Sequence, residues 1–405
     1  MTRAQRRVGT AWFTWFTLAW LVLWAIQLTP VQLLIPLQLD SPDDADGWVR
    51  GVVTAGLVLA VGGAAGLVAG PLAGAWSDRT TSPLGRRRPW ALAGTWIGAV
   101  SLVGTAFADR PVPVALGWIG VSVGVAVSSS ALTAMIADQL EDQRGAASAA
   151  IGSAQAIGVI VGVAAVTLLG LDVTGGYLLL AALVALVGTV TSLLLPDPRP
   201  EAAALESAPV ETSTVSGVPF RWLWTGRLVV NVGNALGTGL LFFFLLYGLD
   251  RDPDHAEDDL LLLIVVYTVF VVVASVAAGS WSDRTGRRHG LVVASAVVQA
   301  AAGVVLAVAP SYAAGFVAAA LIGTGYGAFM TVGLALGTDL LPADVDHARD
   351  LGLLNVSANL GQLLGPLVGA GLVAASGGFT LVFMTSAVLS VAGGLMTRGV
   401  RVPRE

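Results

Sequence analysis

Ala73-Gly74-Ala75-Trp76-Ser77-Asp78-Arg79-Thr80 has a near copy in Ala278-Gly279-Ser280-Trp281-Ser282-Asp283-Arg284-Thr285. Each copy closes a long apolar run and leads into clustered arginines, Arg86-Arg87-Arg88 after the first and Arg287-Arg288 after the second. Such a repeat in the two halves of a 405-residue chain implies one structural plan used twice. Both copies lie where apolar runs meet charge, the pattern of helices leaving a membrane.

Composition agrees. Hydrophobic residues make up 55% of the chain and charged residues 12%, about half the charged share of soluble domains. Mean hydropathy is +0.80, more apolar surface than a soluble fold can bury. The 50 glycines read as helix contacts, since packing must replace the hydrophobic effect between membrane helices. With no cysteine, disulfide and thiolate chemistry are excluded. His255, His289 and His347 are expected in separate polar connections, so no metal site is expected. There is also no lysine, which excludes a phosphate-loop ATPase and lysine Schiff-base chemistry. Net charge is −5 and the arginines lie along membrane edges, so no nucleic-acid face is expected. No cofactor is expected either.

A bilayer-crossing helix needs roughly 20 apolar residues. Runs of that kind fall near 11–38, 49–76, 90–108, 112–137, 146–170 and 175–195, then near 221–248, 260–281, 290–309, 312–338, 351–375 and 378–397. Between the sets lies a polar stretch with Pro196, Asp197, Pro198, Pro200, Glu201, Glu206 and Glu211, the composition of a linker. The expected fold is an all-α membrane protein of twelve transmembrane helices. Its parts are a six-helix bundle over 1–195, a cytoplasmic linker over 196–220 and a second six-helix bundle over 221–405. Arginine marks cytoplasmic loops: Arg3, Arg6 and Arg7, the two repeat loops, and Arg398, Arg401 and Arg404. Alternate loops are acidic, as at Asp40 to Asp46 and Asp250 to Asp259. An integral multi-pass protein of the cell membrane with both termini cytoplasmic is therefore expected. The first run, with Gln27, Pro30 and Gln32, is too long for a secretory signal core and is expected to stay in the protein.

These residues resemble the major facilitator superfamily, whose signature between its second and third helices is a glycine, then Asp-Arg, then Gly-Arg-Arg. The second copy fits as Gly279, Asp283-Arg284 and Gly286-Arg287-Arg288. The first, Gly74, Asp78-Arg79 and Gly85-Arg86-Arg87-Arg88, carries an insertion that looks like the sucrose and glycoside-pentoside-hexuronide branch. Trp24 to Leu34 resembles that branch's first-helix motif, and Ala131 to Asp138 the end of its fourth helix. The superfamily resemblance covers nearly the whole chain, while the branch resemblance is confined to the first half. It implies a secondary transporter working by alternating access on a small-molecule solute in the lipid bilayer, with a proton or a sodium ion as the coupling partner to consider.

The repeated charges are candidates for a gate. Asp78 and Asp283 can face positive helix ends, and Arg79, Arg86, Arg87, Arg88, Arg284, Arg287 and Arg288 can pair with carboxylates. A second duplicated element adds Asp138 and Arg144 after the fourth run and Asp339 and Arg349 after the tenth. For Asp142, Asp344 and Asp346 a solvated loop edge is an equal reading.

Polar residues near mid-depth are the candidates for solute binding: Gln27 and Gln32 in the first helix, Gln155 in the fifth, Asn231 and Asn234 in the seventh, Tyr326 in the tenth, and Asn355, Asn359 and Gln362 in the eleventh. Amides donate and accept, which suits a neutral, sugar-like solute. They also hydrogen-bond across packed membrane helices, so each has a structural reading too. Arg227 is expected to snorkel to the cytoplasmic edge; facing a cavity instead, it would favour an anionic solute.

One departure bears on coupling. Where sucrose symporters carry a fourth-helix aspartate, a gap-free match places Ser122, and no carboxylate lies between Val112 and Asp138. Proton symport thus follows from the resemblance and is opposed by the local residues; sodium coupling, uniport and coupling through Asp40, Asp78 or Asp138 at the membrane edges stay open. Drug efflux is the alternative within transport, and a non-transporting receptor a more distant one. An enzyme is not expected, because the helix interiors offer no acid, base or nucleophile with partners.

Overall fold

The computed structural model describes residues 8–40, 47–140, 143–197, 218–338 and 348–400, with side chains described except at Asp254, Thr338 and 348–355. Among them are twelve helices and no strand. The first six are α1 (Thr10–Leu39), α2 (Gly47–Asp78), α3 (Arg88–Ala106), α4 (Pro111–Gln139), α5 (Arg144–Leu168) and α6 (Val173–Leu194). The next are α7 (Val218–Gly239, continued by Leu241–Gly248), α8 (Pro253–Thr285), α9 (Arg288–Val308), α10 (Tyr312–Thr338), α11 (Ala348–Ser376) and α12 (Thr380–Met396). They coincide with the twelve runs expected from sequence, because a segment in lipid must satisfy its backbone polar groups internally.

Among the described residues ten helices are long and apolar enough to cross a membrane by composition, and bent α7 makes eleven. α3 is not among them; Pro89, Trp90, Thr95 and Trp96 dilute its first two turns. α8 begins earlier than expected: Glu257, Asp258 and Asp259 lie within its first turns, where the positive helix end favours carboxylates. His255 and His289, expected in connections, lie in the first turns of α8 and α9.

Breaks in the helices have local causes. Pro30 has no N–H, and α1 widens into a π turn over Pro30–Leu34. α7 bends by 40° after Gly239. Gly237 and Gly239 weaken it there, and Thr238 Oγ1 donates to Asn234 O at 3.0 Å.

The helices form two compact units, one of residues 1–39 with 61–210, the other of residues 40–60 with 211–405. In the first, α1 packs on α5, and α3 on α4 and α6. In the second, α7 packs on α11, and α9 on α10 and α12, so the pairing pattern recurs. Glycine makes the close approaches: a Cβ on Gly124 of α4 would lie 2.5 Å from Gly98 N of α3, and one on Gly361 of α11 would lie 2.4 Å from Asn231 Cβ of α7. The opening half of α2 belongs to the second unit, where Trp48 stacks on Tyr247 and Phe379. Tyr247 OH donates to Asp40 at 2.6 Å in the same unit. Large apolar side chains such as Val100, Leu116, Leu168, Val276 and Val388 are exposed, as in a multi-pass membrane protein whose outer surface meets lipid.

Candidate functional site

At the end of α2 in the first unit, the chain turns through Pro83 and Gly85 before α3 begins. Gly85 has φ +110°, a region open to glycine, and a Cβ there would stand 2.2 Å from Asp197 Oδ2. The space admits the Asp197 carboxylate from beyond α6, and its Oδ2 accepts from Arg87 N at 2.7 Å and Arg88 N at 2.8 Å. A carboxylate thus caps the positive end of α3. Sequence reasoning had assigned Asp197 only to the linker; the signal available was an acid placed just past a helix end.

That turn aims Arg87, which is 4% exposed. Its Nη1 lies 2.7 Å from Asp78 Oδ1 and donates to Ser77 Oγ at 2.9 Å. Its Nε lies 2.7 Å from Asp138 Oδ2, and Nη2 reaches Asp138 Oδ1 at 3.3 Å. Burial pulls the guanidinium pKa down, but Asp138 and Asp78 outweigh it and leave it raised. Arg86 Nη2 adds a 3.2 Å contact to Asp78, and Arg88 Nη2 donates to Leu195 O at 2.9 Å. One ionic cluster thus joins the ends of α2, α3, α4 and α6. Arg79 and Arg144 are exposed, and Arg144 Nε donates to the Leu140 carbonyl that closes α4.

The second copy is built in parallel. Gly286 takes φ +64°, Arg288 Nη1 donates to Ala335 O of α10, and His289 Nε2 lies 2.6 Å from Val400 O. His289 thereby stands where Arg88 stands in the first copy, each side chain reaching the carbonyl just past its unit's last helix. Asp283, Arg284 and Arg287 are exposed. Asp142, Asp339, Asp344 and Asp346 lie outside the described residues, as do the side chains of Arg349 and Asn355.

The solute-binding candidates do not form one group. Arg227, Asn231 and Asn234 of α7 are 1%, 0% and 2% exposed, and spacings of four and three put them on one helix face. Tyr326, Met330 and Gly333 of α10 repeat those spacings and face them. Tyr326 OH donates to Asn231 Oδ1 at 3.0 Å, Asn231 Nδ2 donates to Arg227 O at 2.7 Å, and Arg227 Nη2 lies 3.7 Å from Met330 Sδ. Arg227 therefore does not snorkel as expected: its side chain turns inward against α10. Gln27 and Gln32 are half-buried in α1, and Gln155 is exposed on α5, all in the first unit. Asn359 and Gln362 are exposed on α11. Gln299 of α9, which sequence reasoning passed over, is a packing amide: its Nε2 donates to Ser390 Oγ at 2.9 Å. Among the described residues no cluster of ligating side chains could hold a metal.

The family model described as Major Facilitator Superfamily matches residues 51–256 and 228–405. The crystal structure of a D-xylose-proton symporter aligns with TM-score 0.71 at 14% identity, covering 96% of each chain. Two crystal structures of the nucleoside transporter NupG, one of them a mutant form, align with TM-scores of 0.70 and 0.75 at 16% identity over 96% of this chain and 98% of theirs. At these identities the likeness speaks for the fold. No curated protein matches the chain.

Proposed function

The chain belongs to the major facilitator superfamily, and from that premise we propose that this membrane transporter carries a small polar, sugar-like solute across the cell membrane. The observation that carries the reading is the polar face inside the second unit, where Asn231 and Tyr326 bond each other beside Asn234 and Arg227. Buried polar side chains are costly in a membrane protein, and they gather where a polar solute must be recognised. The mechanical units are the bundles 1–195 and 221–405 joined by the linker 196–220, with both termini cytoplasmic as the arginine pattern suggests. Alternating access follows from rocking of such bundles. In this reading the cluster around Arg87 and its second copy hold the cytoplasmic side in one state, and Gln27, Gln32, Gln155, Asn355, Asn359 and Gln362 are further candidates to touch solute.

The branch assignment rests on Trp24 to Leu34 and on the insertion before Gly85. Ser122, at the position of the branch's aspartate, is 4% exposed and packed against Gly62 and Gly66, which argues against a relay there. Uptake by proteoliposomes over a panel of sugars, with and without proton and sodium gradients, tests the reading. Movement of at least one sugar supports it; movement of lipophilic cations alone replaces it with the efflux alternative.

A further inference from the structure

Two buried arginines of this chain differ in one respect. Arg87 is 4% exposed and is answered by two carboxylates. Arg227 is 1% exposed, and no described oxygen accepts from its guanidinium: Nε and Nη1 have no partner, and Nη2 meets only the Met330 thioether. A thioether is a weak acceptor, and a buried cation without an anion is destabilising enough that folds normally pair it. The neighbouring polar groups are already engaged with each other, since Tyr326 donates to Asn231 and Asn231 to the Arg227 carbonyl. Beside Nη1 the wall is Gly333, where a Cβ would stand 3.2 Å away. Asn234 Oδ1, one turn beyond Asn231, is a second buried atom without a partner.

We propose that Arg227 anchors an oxyanion borne by the transported solute, a carboxylate or a phosphate ester, and that Asn234 and Tyr326 take hydroxyls of the same molecule. The inference rests on the transport reading and narrows its solute from a neutral sugar to an acidic one. A guanidinium presents its donors in planar pairs that match the two oxygens of such a group. Met330 is half-buried, unbranched and flexible, so its side chain can swing aside and admit the anion without backbone movement. At Gly333 any larger residue would crowd Nη1, since even a Cβ would stand 3.2 Å from it.

The test uses the full chain in detergent and in proteoliposomes, with D-glucuronate, glucose 6-phosphate and inorganic phosphate as anionic probes and glucose as the neutral one. Binding is read by tryptophan fluorescence and thermal shift, movement by counterflow. At least one anionic sugar should bind tenfold or more tighter than glucose, the two acids distinguishing a carboxylate from a phosphate ester. Arg227→Gln should abolish that preference, and Arg227→Lys should retain part of it. Gly333→Ala, which leaves the arginine in place, should weaken the acid and not glucose; with Arg227→Lys it decides the matter if Arg227→Gln does not fold. Equal binding of acid and glucose, no binding of any anion, or acid binding untouched in the Arg227 variants and in Gly333→Ala overturns the proposal. Glucose carried without acid binding leaves the transport reading standing, whereas acid bound and nothing carried removes that reading and keeps the site.

Discussion

Arg87 Nε lies 2.7 Å from Asp138 Oδ2, joining the start of α3 to the end of α4 across 51 residues of chain. The same guanidinium holds Asp78 at 2.7 Å, so three helix ends depend on one buried side chain. Removing one carboxylate leaves the cation partly uncompensated, and the cost exceeds that of a surface pair.

Asp138→Asn should therefore destabilise the protein by about 1.5–3 kcal/mol, the range for a hydrogen bond to a charged group. Arg87→Lys should do at least as much, because an ammonium cannot span Asp78, Asp138 and Ser77 together. Thermal unfolding in detergent checks both. Arg87's folded pKa is raised, so its contribution is complete below the unfolded value and is lost only as pH rises through the higher folded value. Charge loss at Arg87 should consequently add no slope to the melting temperature between about pH 6 and pH 10.

Asp78→Asn and Asp283→Asn should slow transport more than they weaken solute binding. Asp283 is exposed, so folding depends on it little, by about 1 kcal/mol or less, whereas Asp78 pairs with buried Arg87 and its loss also costs stability, as at Asp138. A carrier whose cytoplasmic contacts exchange between states would instead show their loss in turnover. Counterflow rates set beside binding affinities decide it, and unchanged rates in both variants remove the gate assignment.

Gly85→Ala should cost about 1–3 kcal/mol, from the left-handed backbone and from the collision with Asp197. Asp197→Ala should also destabilise, by about 1 kcal/mol, through the lost cap. The double variant should be less unstable than the sum, since removing the carboxylate relieves the clash. Strict additivity in unfolding measurements would contradict the close approach.

Tyr326→Phe should strip Asn231 Oδ1 of its donor and raise the KM for solute about fivefold, the factor that a lost hydrogen bond of about 1 kcal/mol carries. Gln299→Leu, at the packing amide of α9, should lower the melting temperature and leave KM unchanged. A KM shift from Gln299→Leu and none from Tyr326→Phe would reverse the two roles.

Much of this was legible before any coordinates. The paired Trp-Ser-Asp-Arg segments marked the ends of α2 and α8, and the arginine clusters marked the starts of α3 and α9. Asp138 was legible as a partner for arginine because it closes an apolar run. Asp197 was not: its role depends on α6 ending beside the Gly85 turn, a neighbour relation with no trace in local pattern. Arg227 was misread for a related reason. Its distance from the start of α7, roughly 14 Å at 1.5 Å per residue, allowed snorkelling, and only the rotation of α7 toward α10 turned it inward. Asn231 was singled out in sequence and Gln299 was not, yet both are buried amides, one facing Tyr326 and the other Ser390.

The sequence by itself determined the number and duplicated order of the helices. A bilayer demands about 20 apolar residues with every backbone group satisfied internally, and composition alone can meet or fail that demand. Only the tertiary structure decided which charges are answered and which are left without an acceptor. That depends on helix rotation and on the sub-ångström clearances glycine permits, as at Gly85 beside Asp197 and Gly333 beside Arg227. Those clearances arise between segments more than a hundred residues apart, where packing rather than local preference sets the geometry.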